Sequence, residues 1–131
     1  MSNDEDRGYA TVSLEDIEPR QLDDIEPSLL SVGYELRPDE MRPNVWRFDK
    51  GEATHDHRHA EQEELYIVLD GGFDVQIGSS EGEESREEFE LETEDFMIVS
   101  PQTWRQLTAR EGSLLLVVGA PPVKQDDERR T

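Results

Sequence analysis

The 131-residue sequence has no cysteine and only two lysines, and each scarcity excludes a class of chemistry. Without cysteine there is no disulfide, no thiolate nucleophile and no thiolate metal ligand, so any metal must be held by nitrogen and oxygen atoms. Basic residues are few overall: the sequence has 13 of them and 33 acidic residues, which gives a formal net charge of −20. A field of this sign repels a phosphate backbone, so we expect no nucleic-acid partner.

Long hydrophobic runs are missing as well. No run approaches the roughly 18 apolar residues of a membrane span, and the acidic start MSNDEDRGY lacks the apolar stretch of a secretory signal. We therefore expect a cytoplasmic protein without a membrane partner. At roughly molar salt the Debye length is about 3 Å, which screens many like charges on a small surface. A halophile's cytoplasm is the setting that this composition favours, with an ordinary acidic protein as the alternative.

The length predicts one folded domain with unstructured ends. Residues 1–7 and 124–131 are almost free of apolar side chains and are predicted to be disordered. Residues 8–40 form a predicted N-terminal extension that packs on the domain. Its prolines forbid one long helix, so we expect short helical turns that bury Leu14, Ile17, Leu22, Ile25 and Leu29.

Residues 41–123 are predicted to form the domain itself, as an all-β sandwich or small barrel. The segment contains strand-length apolar runs separated by Gly, Pro, Asp or acidic loops, namely VWRF, ELYIVL, FDVQI, EFELE, FMIVS, RQLTA and LLLVV. Asp70-Gly71-Gly72 is a tight-turn signal that predicts a hairpin between ELYIVL and FDVQI. The acidic segment 78–88 is predicted to be a surface loop.

The three histidines of the chain fall within five residues, at His55, His57 and His59, and Glu64 opens the next apolar run. Residues two apart on a strand share a face, so His57 and His59 would project together, with His55 beside them if the strand begins early. A turn before Glu64 would bring its carboxylate back to the two imidazoles. Two imidazoles and one carboxylate suit Fe, Mn, Ni, Cu or Zn. The competing interpretation is a group of exposed histidines among acidic neighbours.

The spacing of this segment resembles the first signature motif of the cupin superfamily. The motif runs as Gly51, five residues, His57-x-His59, four residues, Glu64, six residues and Gly71. The resemblance extends loosely over 44–118 and implies a small jelly-roll barrel, or double-stranded β-helix, whose interior holds the site. In many cupins the residues that match the two histidines and the glutamate bind a divalent metal. Cupins also commonly form homodimers through edge strands, for which VWRF and SLLLVVG are the candidates.

The second cupin motif is degenerate in this chain. Aligned on the strand FMIV, it places Arg105 where cupins supply a histidine as a further metal ligand. A guanidinium only donates hydrogen bonds and cannot ligate a cation. Three outcomes stay open: Arg105 pairs with Glu64 in place of a metal, it swings outward and leaves His57, His59 and Glu64 to the metal, or it holds an anion at the pocket mouth.

Three functions are compatible with these residues, and whether the protein is an enzyme stays undecided. The first is a metal-dependent oxidoreductase or isomerase acting on a small molecule, with Glu64 or Tyr66 assisting proton transfer. The second is a metal-free module that binds a small anion or sugar through Arg105, Gln106 and the histidines, with Trp104 lining the pocket mouth. The third is a structural or regulatory dimer with a degenerate site.

Overall fold

The structure is a computed structural model that describes residues 8–78 and 86–130, and they form two antiparallel sheets of five strands each. One sheet has the order β1-β2-β9-β4-β7 and the other the order β10-β3-β8-β5-β6. This arrangement confirms the predicted all-β, jelly-roll class. The strands are β1 Ser28–Leu30, β2 Arg42–Phe48, β3 His57–His59, β4 Glu63–Asp70, β5 Gly72–Gly78, β6 Glu87–Glu92, β7 Phe96–Val99, β8 Trp104–Ala109, β9 Ser113–Ala120 and β10 Asp127–Arg129.

Within residues 8–78 and 86–130, helical structure consists of two short elements before β2. A 3-10 turn spans Leu14–Asp16 and helix α1 spans Val32–Leu36. No helix in the described part of the chain is long and apolar enough to cross a bilayer.

The core lies between the two sheets and follows from strand alternation. In β4 and β9 every second side chain is buried, which directs one face of each strand inward. The buried cluster consists of Phe48, Tyr66, Val68, Phe73, Val75, Leu91, Met97, Val99, Leu107, Ala109, Leu115 and Val117. Burying each large apolar side chain of this kind stabilises the fold by roughly 1.5–3 kcal/mol.

The inward face changes character along β8. Ala109 and Leu107 lie opposite Phe73 and Val75 in the apolar core, whereas Arg105 lies opposite His57 of β3. One end of the barrel is therefore packed with apolar side chains, and the other end holds polar groups.

The turn at Gly71 differs from the hairpin predicted there. Gly71 has a φ of +84° and connects β4 to β5, but those strands belong to different sheets and do not pair. β4 pairs with β7 and β9, while β5 pairs with β6 and β8. The sequence predicts the position of the turn correctly but not the pairing of the strands that it joins. The turn is a corner between two sheets, because jelly-roll strands alternate between two layers.

The N-terminal extension covers part of the outer face of the first sheet. Ile17 and Leu30 pack with Val45 in a second apolar cluster, to which Leu14 and Leu116 also contribute. Five residues of this segment were expected to be buried. Ile17 and Leu29 are buried, and the other three are half-buried, namely Leu14, Leu22 and Ile25. Leu29 lies in β1, which pairs with β2, so the segment contains a strand where a helical turn was expected.

The C-terminal segment differs from the disordered tail predicted from residue 124. Strand β10 pairs antiparallel with β3, so that Asp127 lies opposite His59 and Arg129 lies opposite His57. Strand β10 covers one edge of β3 by main-chain hydrogen bonding. Such pairing requires no apolar side chains, so a segment without them can still form a strand. The predicted disordered residues 1–7 lie outside the described residues, as do 79–85 of the predicted acidic loop; Glu87 and Glu88 begin β6.

Candidate metal centre

Strands β3 and β4 bring together the three residues whose spacing suggested a metal site. Ligating atoms of His57, His59 and Glu64 all lie within 4.8 Å of one another. The two imidazole rings stand edge to face, with centroids 5.2 Å apart. Only three residues separate β3 from β4, which places Glu64 back beside the histidines as the sequence suggested.

The ring of His57 is fixed by its own backbone. Its Nδ1 lies 2.7 Å from the carbonyl oxygen of His55, and a carbonyl only accepts, so Nδ1 carries the proton and Nε2 has a free lone pair. Burial, reinforced by the positive charge of Arg105, lowers the pKa of His57 to about 4. His57 is therefore neutral at neutral pH, which is the state in which an imidazole binds a metal.

The ring of His59 lies between two carboxylates. Nε2 is 3.3 Å from Oε1 of Glu64, and Nδ1 is 3.6 Å from Oδ2 of Asp126. Burial alone would raise the pKa of Asp126, but hydrogen bonds from the backbone N–H groups of Gln62 and Glu61 outweigh it and lower that pKa. One ring nitrogen of His59 thus faces the candidate site and the other faces an ionised carboxylate.

Glu64 is held as an anion through one of its oxygens. Oε1 accepts hydrogen bonds from the Tyr66 hydroxyl and from Nη2 of Arg105, both at 2.6 Å. Burial opposes ionisation, but His59 and Arg105 together hold the pKa of Glu64 at about 2. The hydrogen bonds made to Glu64 by described residues all end on Oε1, so Oε2 is available as a ligand atom.

Arg105 adopts the first of the three arrangements expected for it. Its side chain is 0% exposed, and Nη2 pairs with Glu64. Nε donates to the Tyr66 hydroxyl at 3.1 Å, and Nη1 donates to the carbonyl of Thr103 at 2.8 Å. The guanidinium neither swings outward nor lies at a pocket mouth with free donors, so it has no fork to offer to an anion.

Tyr66 completes the buried group. Burial, and then the neighbouring charge of Glu64, raises the pKa of Tyr66 far above its ordinary value. The phenol therefore stays protonated and serves as a hydrogen-bond donor to Glu64.

The site opens into a cavity of about 200 Å³. Water occupies about 30 Å³ per molecule in the liquid, so the cavity has room for roughly seven waters or one small ligand. Four residues of the site, His57, His59, Glu64 and Tyr66, line the cavity, and apolar side chains form much of its wall. The complete lining is Ile25, Pro27, Trp46, Thr54, His55, His57, His59, Glu64, Tyr66, Leu115, Val117, Asp127 and Arg129.

Three of the residues suggested from the sequence do not join the group. Trp104 and Gln106 alternate with Arg105 along β8, so they face away from the barrel interior. Trp104 contacts the guanidinium groups of Arg58 and Arg130 through its ring, and Gln106 donates to the carbonyl of Thr54 at 2.9 Å. His55 lines the cavity, but its Nε2 contacts the carbonyl of Asp24.

Other residues of the site gave little signal in the sequence. Asp126 belongs to a polar segment that lacks any apolar pattern, and Thr103 contributes only its carbonyl oxygen. Trp46 lines the cavity from β2 while also packing on the core.

Comparison with known proteins identifies the fold. The profile of a family described as Cupin domain matches residues 44–119, and no curated protein matches the chain. The structure is similar to KdgF from Halomonas sp., with a TM-score of 0.68 and 18% identity over 83% of this chain and 92% of that one. A sugar phosphate isomerase from Silicibacter pomeroyi has a TM-score of 0.67 and 21% identity over 85% of this chain and 75% of that one.

Oxalate decarboxylase from Bacillus subtilis is a further similar structure, with a TM-score of 0.71 and 18% identity over 92% of this chain. The matched region is only 33% of that enzyme's chain, so the protein corresponds to about one third of its length. At identities this low, the similarities to these solved structures are similarities of fold alone.

Proposed function

The chain belongs to the cupin family, and we propose that it is a metal-binding cupin whose ion faces a cavity for one small molecule. The observation that carries this proposal is the orientation of the two imidazoles. His57 directs its protonated nitrogen to a backbone carbonyl and His59 directs Nδ1 toward Asp126, so both Nε2 atoms are left for the same space as Glu64.

The donor set suggests which ions fit. Two imidazole nitrogens and one carboxylate oxygen match the ligands of non-haem Fe(II) sites, and Mn, Ni, Cu and Zn accept the same atoms. A bound divalent ion supplies a Lewis acid with coordination positions open to a ligand. His57 and His59 are neutral donors in that arrangement, and Glu64 is the one anionic donor.

The cavity volume favours a small ligand, and a bound divalent ion would favour one with oxygen donors. Structures of similar fold include an oxalate decarboxylase and a sugar phosphate isomerase, and we propose an oxidoreductase or isomerase reaction on a compound of comparable size. Neither Glu64, with a pKa of about 2, nor Tyr66, with a raised pKa, is matched to proton transfer near neutral pH. We assign Glu64 to metal binding and Tyr66 to holding Glu64 in place.

A metal-free binding module is the second candidate, and a specific observation favours it. Arg105 already supplies a positive charge to Glu64, at 2.6 Å from Oε1. An ion bound to Glu64 would lie near that guanidinium, and two unit positive charges 4 Å apart repel by about 4 kcal/mol at an effective dielectric of 20. Under this alternative the histidines bind the small ligand directly.

Metal analysis separates the two candidates. The untagged protein is purified without chelator, supplied with Fe(II), Mn(II) or Zn(II), and analysed for metal after gel filtration. We expect close to one ion per chain in the wild type and in the control His55→Ala, and none in the double variant His57→Ala/His59→Ala. A folded wild type that retains none of these ions would exclude the metal-binding function.

We also propose that the protein forms a homodimer. The strands expected to pair, VWRF and SLLLVVG, correspond to β2 and β9, which lie inside the sheet order and have no free edge. Support comes instead from edge strand β7, where Phe96 and Ile98 are 66% and 58% exposed and lie opposite Ile67 and Leu65 of β4. An apolar patch of this kind, on so acidic a chain, is suited to self-association.

Sedimentation of the wild type and of Phe96→Glu in molar KCl tests the homodimer. We expect a dimer that dissociates on this substitution, with Glu88→Gln on the opposite sheet as a control. A monomeric wild type at 100 µM, about the concentration range at which weak dimers form, contradicts the proposal.

The setting that we propose is the cytoplasm of a salt-loving cell. The net charge of −20 and the presence of only two lysines support it.

A further inference from the structure

Asp126 is a buried carboxylate in the short connection between β9 and β10. Its side chain accepts hydrogen bonds from the backbone N–H groups of Glu61 and Gln62, at 3.1 and 2.8 Å. Its own carbonyl oxygen accepts from the N–H of Ala60 at 3.1 Å. These contacts fix the carboxylate against the turn that joins β3 to β4, directly behind the candidate metal centre.

The same carboxylate faces the ring of His59. Oδ2 lies 3.6 Å from Nδ1, which is buried and has no hydrogen-bond partner among the described residues. On the other side of the ring, Nε2 faces Glu64 at 3.3 Å. The imidazole is thus placed with its two nitrogens between an outer carboxylate and the site.

We propose that Asp126 is a positioning residue that holds His59 with Nε2 directed into the metal site. The inference rests on the proposed metal-binding function. An ion on Nε2 requires the ring proton to be on Nδ1, and the carboxylate of Asp126, with Oδ2 3.6 Å away, is the negative charge that this N–H faces. An outer carboxylate in this place fixes the tautomer and orientation of the ring and makes Nε2 a stronger donor.

Titration of the chelator-treated protein with Co(II), followed by visible absorption, tests the proposal. We expect Asp126→Asn to weaken Co(II) binding by about 10- to 100-fold, the usual loss when an outer partner is removed. The asparagine oxygen can take the place of Oδ2 and accept from the backbone N–H groups of Glu61 and Gln62, so the turn is retained. What the substitution removes is the negative charge that faces Nδ1 of His59. The control is Glu128→Gln in β10, which removes an equal charge from an exposed side chain that pairs with Arg58, and it should bind Co(II) as the wild type does.

A double-variant cycle distinguishes positioning from a general effect on the turn. The Asp126→Asn substitution is made both in the wild type and in His59→Ala, and Co(II) affinity is measured in all four proteins. If Asp126 acts through His59, the substitution weakens binding in the wild type and has less than a twofold effect in His59→Ala. Equal losses in both backgrounds overturn the proposal.

The two proposals fail in different ways. A wild-type protein that binds Co(II) stoichiometrically while Asp126→Asn binds it within twofold overturns the positioning role and leaves the metal-binding function standing. A folded wild type that does not bind Co(II) overturns both.

Discussion

At the scale of single residues, the site is centred on Glu64, which pairs with Arg105 and lies beside His57 and His59. Arg105 is a cation without ligating atoms, and it is engaged on three sides by Glu64, Tyr66 and Thr103. It stabilises the ionised carboxylate in the absence of any metal. A buried pair of this kind contributes little net stability, but removing one partner leaves an uncompensated buried charge.

Replacing Arg105 by histidine should therefore have opposite effects on the metal-free and metal-loaded protein. Loss of the guanidinium is expected to lower the free energy of unfolding of the metal-free form by about 3–5 kcal/mol. The new imidazole removes a positive charge and adds a donor, so Zn(II) should bind at least tenfold more tightly. Denaturant unfolding with chelator and calorimetric Zn(II) titration measure the two effects.

Arg110→His is the control for this prediction. Arg110 follows β8 and its side chain is 42% exposed, so both stability and Zn(II) affinity should change little. Weaker Zn(II) binding in Arg105→His would show that the arginine supports the ion instead of opposing it.

The lowered pKa of His57 predicts a pH dependence for the metal-free protein. The pKa of His57 is about 4 in the folded protein, whereas its ordinary value, expected in the unfolded chain, is 6.5. Between pH 4 and pH 6.5 the unfolded chain therefore binds more protons than the folded protein. The free energy of unfolding therefore falls as the pH falls from about 6.5 to 4. Linkage gives a loss of about 2 kcal/mol between pH 7.5 and pH 5.

Denaturant unfolding with chelator at pH 7.5 and pH 5, in wild type and His57→Gln, measures this contribution. The variant should lose about 2 kcal/mol less than the wild type between the two values. Protonation of Glu64 does not interfere with this measurement. Its pKa is depressed in the folded protein, so the stability that it contributes is lost only as the pH falls below its ordinary pKa of 4.5. Equal pH dependence in the two proteins would contradict the assignment of a neutral, buried His57.

At the scale of elements, the corner between β4 and β5 places strict demands on Gly71. A Cβ atom there would lie 2.6 Å from the carbonyl oxygen of Gly112 and closer still to the side chain of Ser113. The positive φ adds backbone strain of about 1–3 kcal/mol for a residue other than glycine.

A set of three glycine substitutions separates strain from crowding. Gly71→Ala combines both and should destabilise the protein by about 3 kcal/mol or more. Gly51 has a φ of +88° with open space around its position, so Gly51→Ala should lower stability by about 1 kcal/mol. Gly112 has neither constraint, and its alanine variant should stay within about 0.5 kcal/mol of the wild type in denaturant unfolding. A Gly71→Ala protein no less stable than Gly51→Ala would contradict the crowding at this corner.

The sequence predicted those parts of the structure that depend on alternation along a strand or on local turn residues. The all-β class and the grouping of His57, His59 and Glu64 follow from spacings of two and from one short turn. Alternation also determines that Trp104 and Gln106 face away once Arg105 faces inward, although the sequence alone does not tell which residue of β8 points in. The sequence does not predict contacts between distant segments. The pairing of β10 with β3 and the contact of Asp126 with His59 join segments that share no sequence pattern.

At the scale of the whole molecule, charge dominates the behaviour in solution. The net charge of −20 destabilises any compact state through self-repulsion, and salt screens that repulsion. The apolar core lies at one end of a small barrel, so its stabilising contribution must exceed this repulsion for the chain to stay folded.

The thermal midpoint should therefore rise with KCl. We expect an increase of about 5–10 °C between 0.1 and 2 M, equivalent to roughly 2 kcal/mol. Glu87→Gln/Glu88→Gln/Glu92→Gln removes three of the 33 acidic charges from exposed positions of β6 and should reduce the dependence on salt. A wild type whose midpoint is constant across this range would contradict the halophilic interpretation.

The buried contact between Arg105 and Glu64 has a consequence for the order in which the mature protein is assembled. Small metal proteins often cannot fold until the ion arrives, because the empty ligands repel one another or lack partners. Here the carboxylate has a permanent counter-ion from its own chain. Under the proposed metal-binding function, the polypeptide would complete its fold first and acquire or release an ion afterwards, with no unfolding in between.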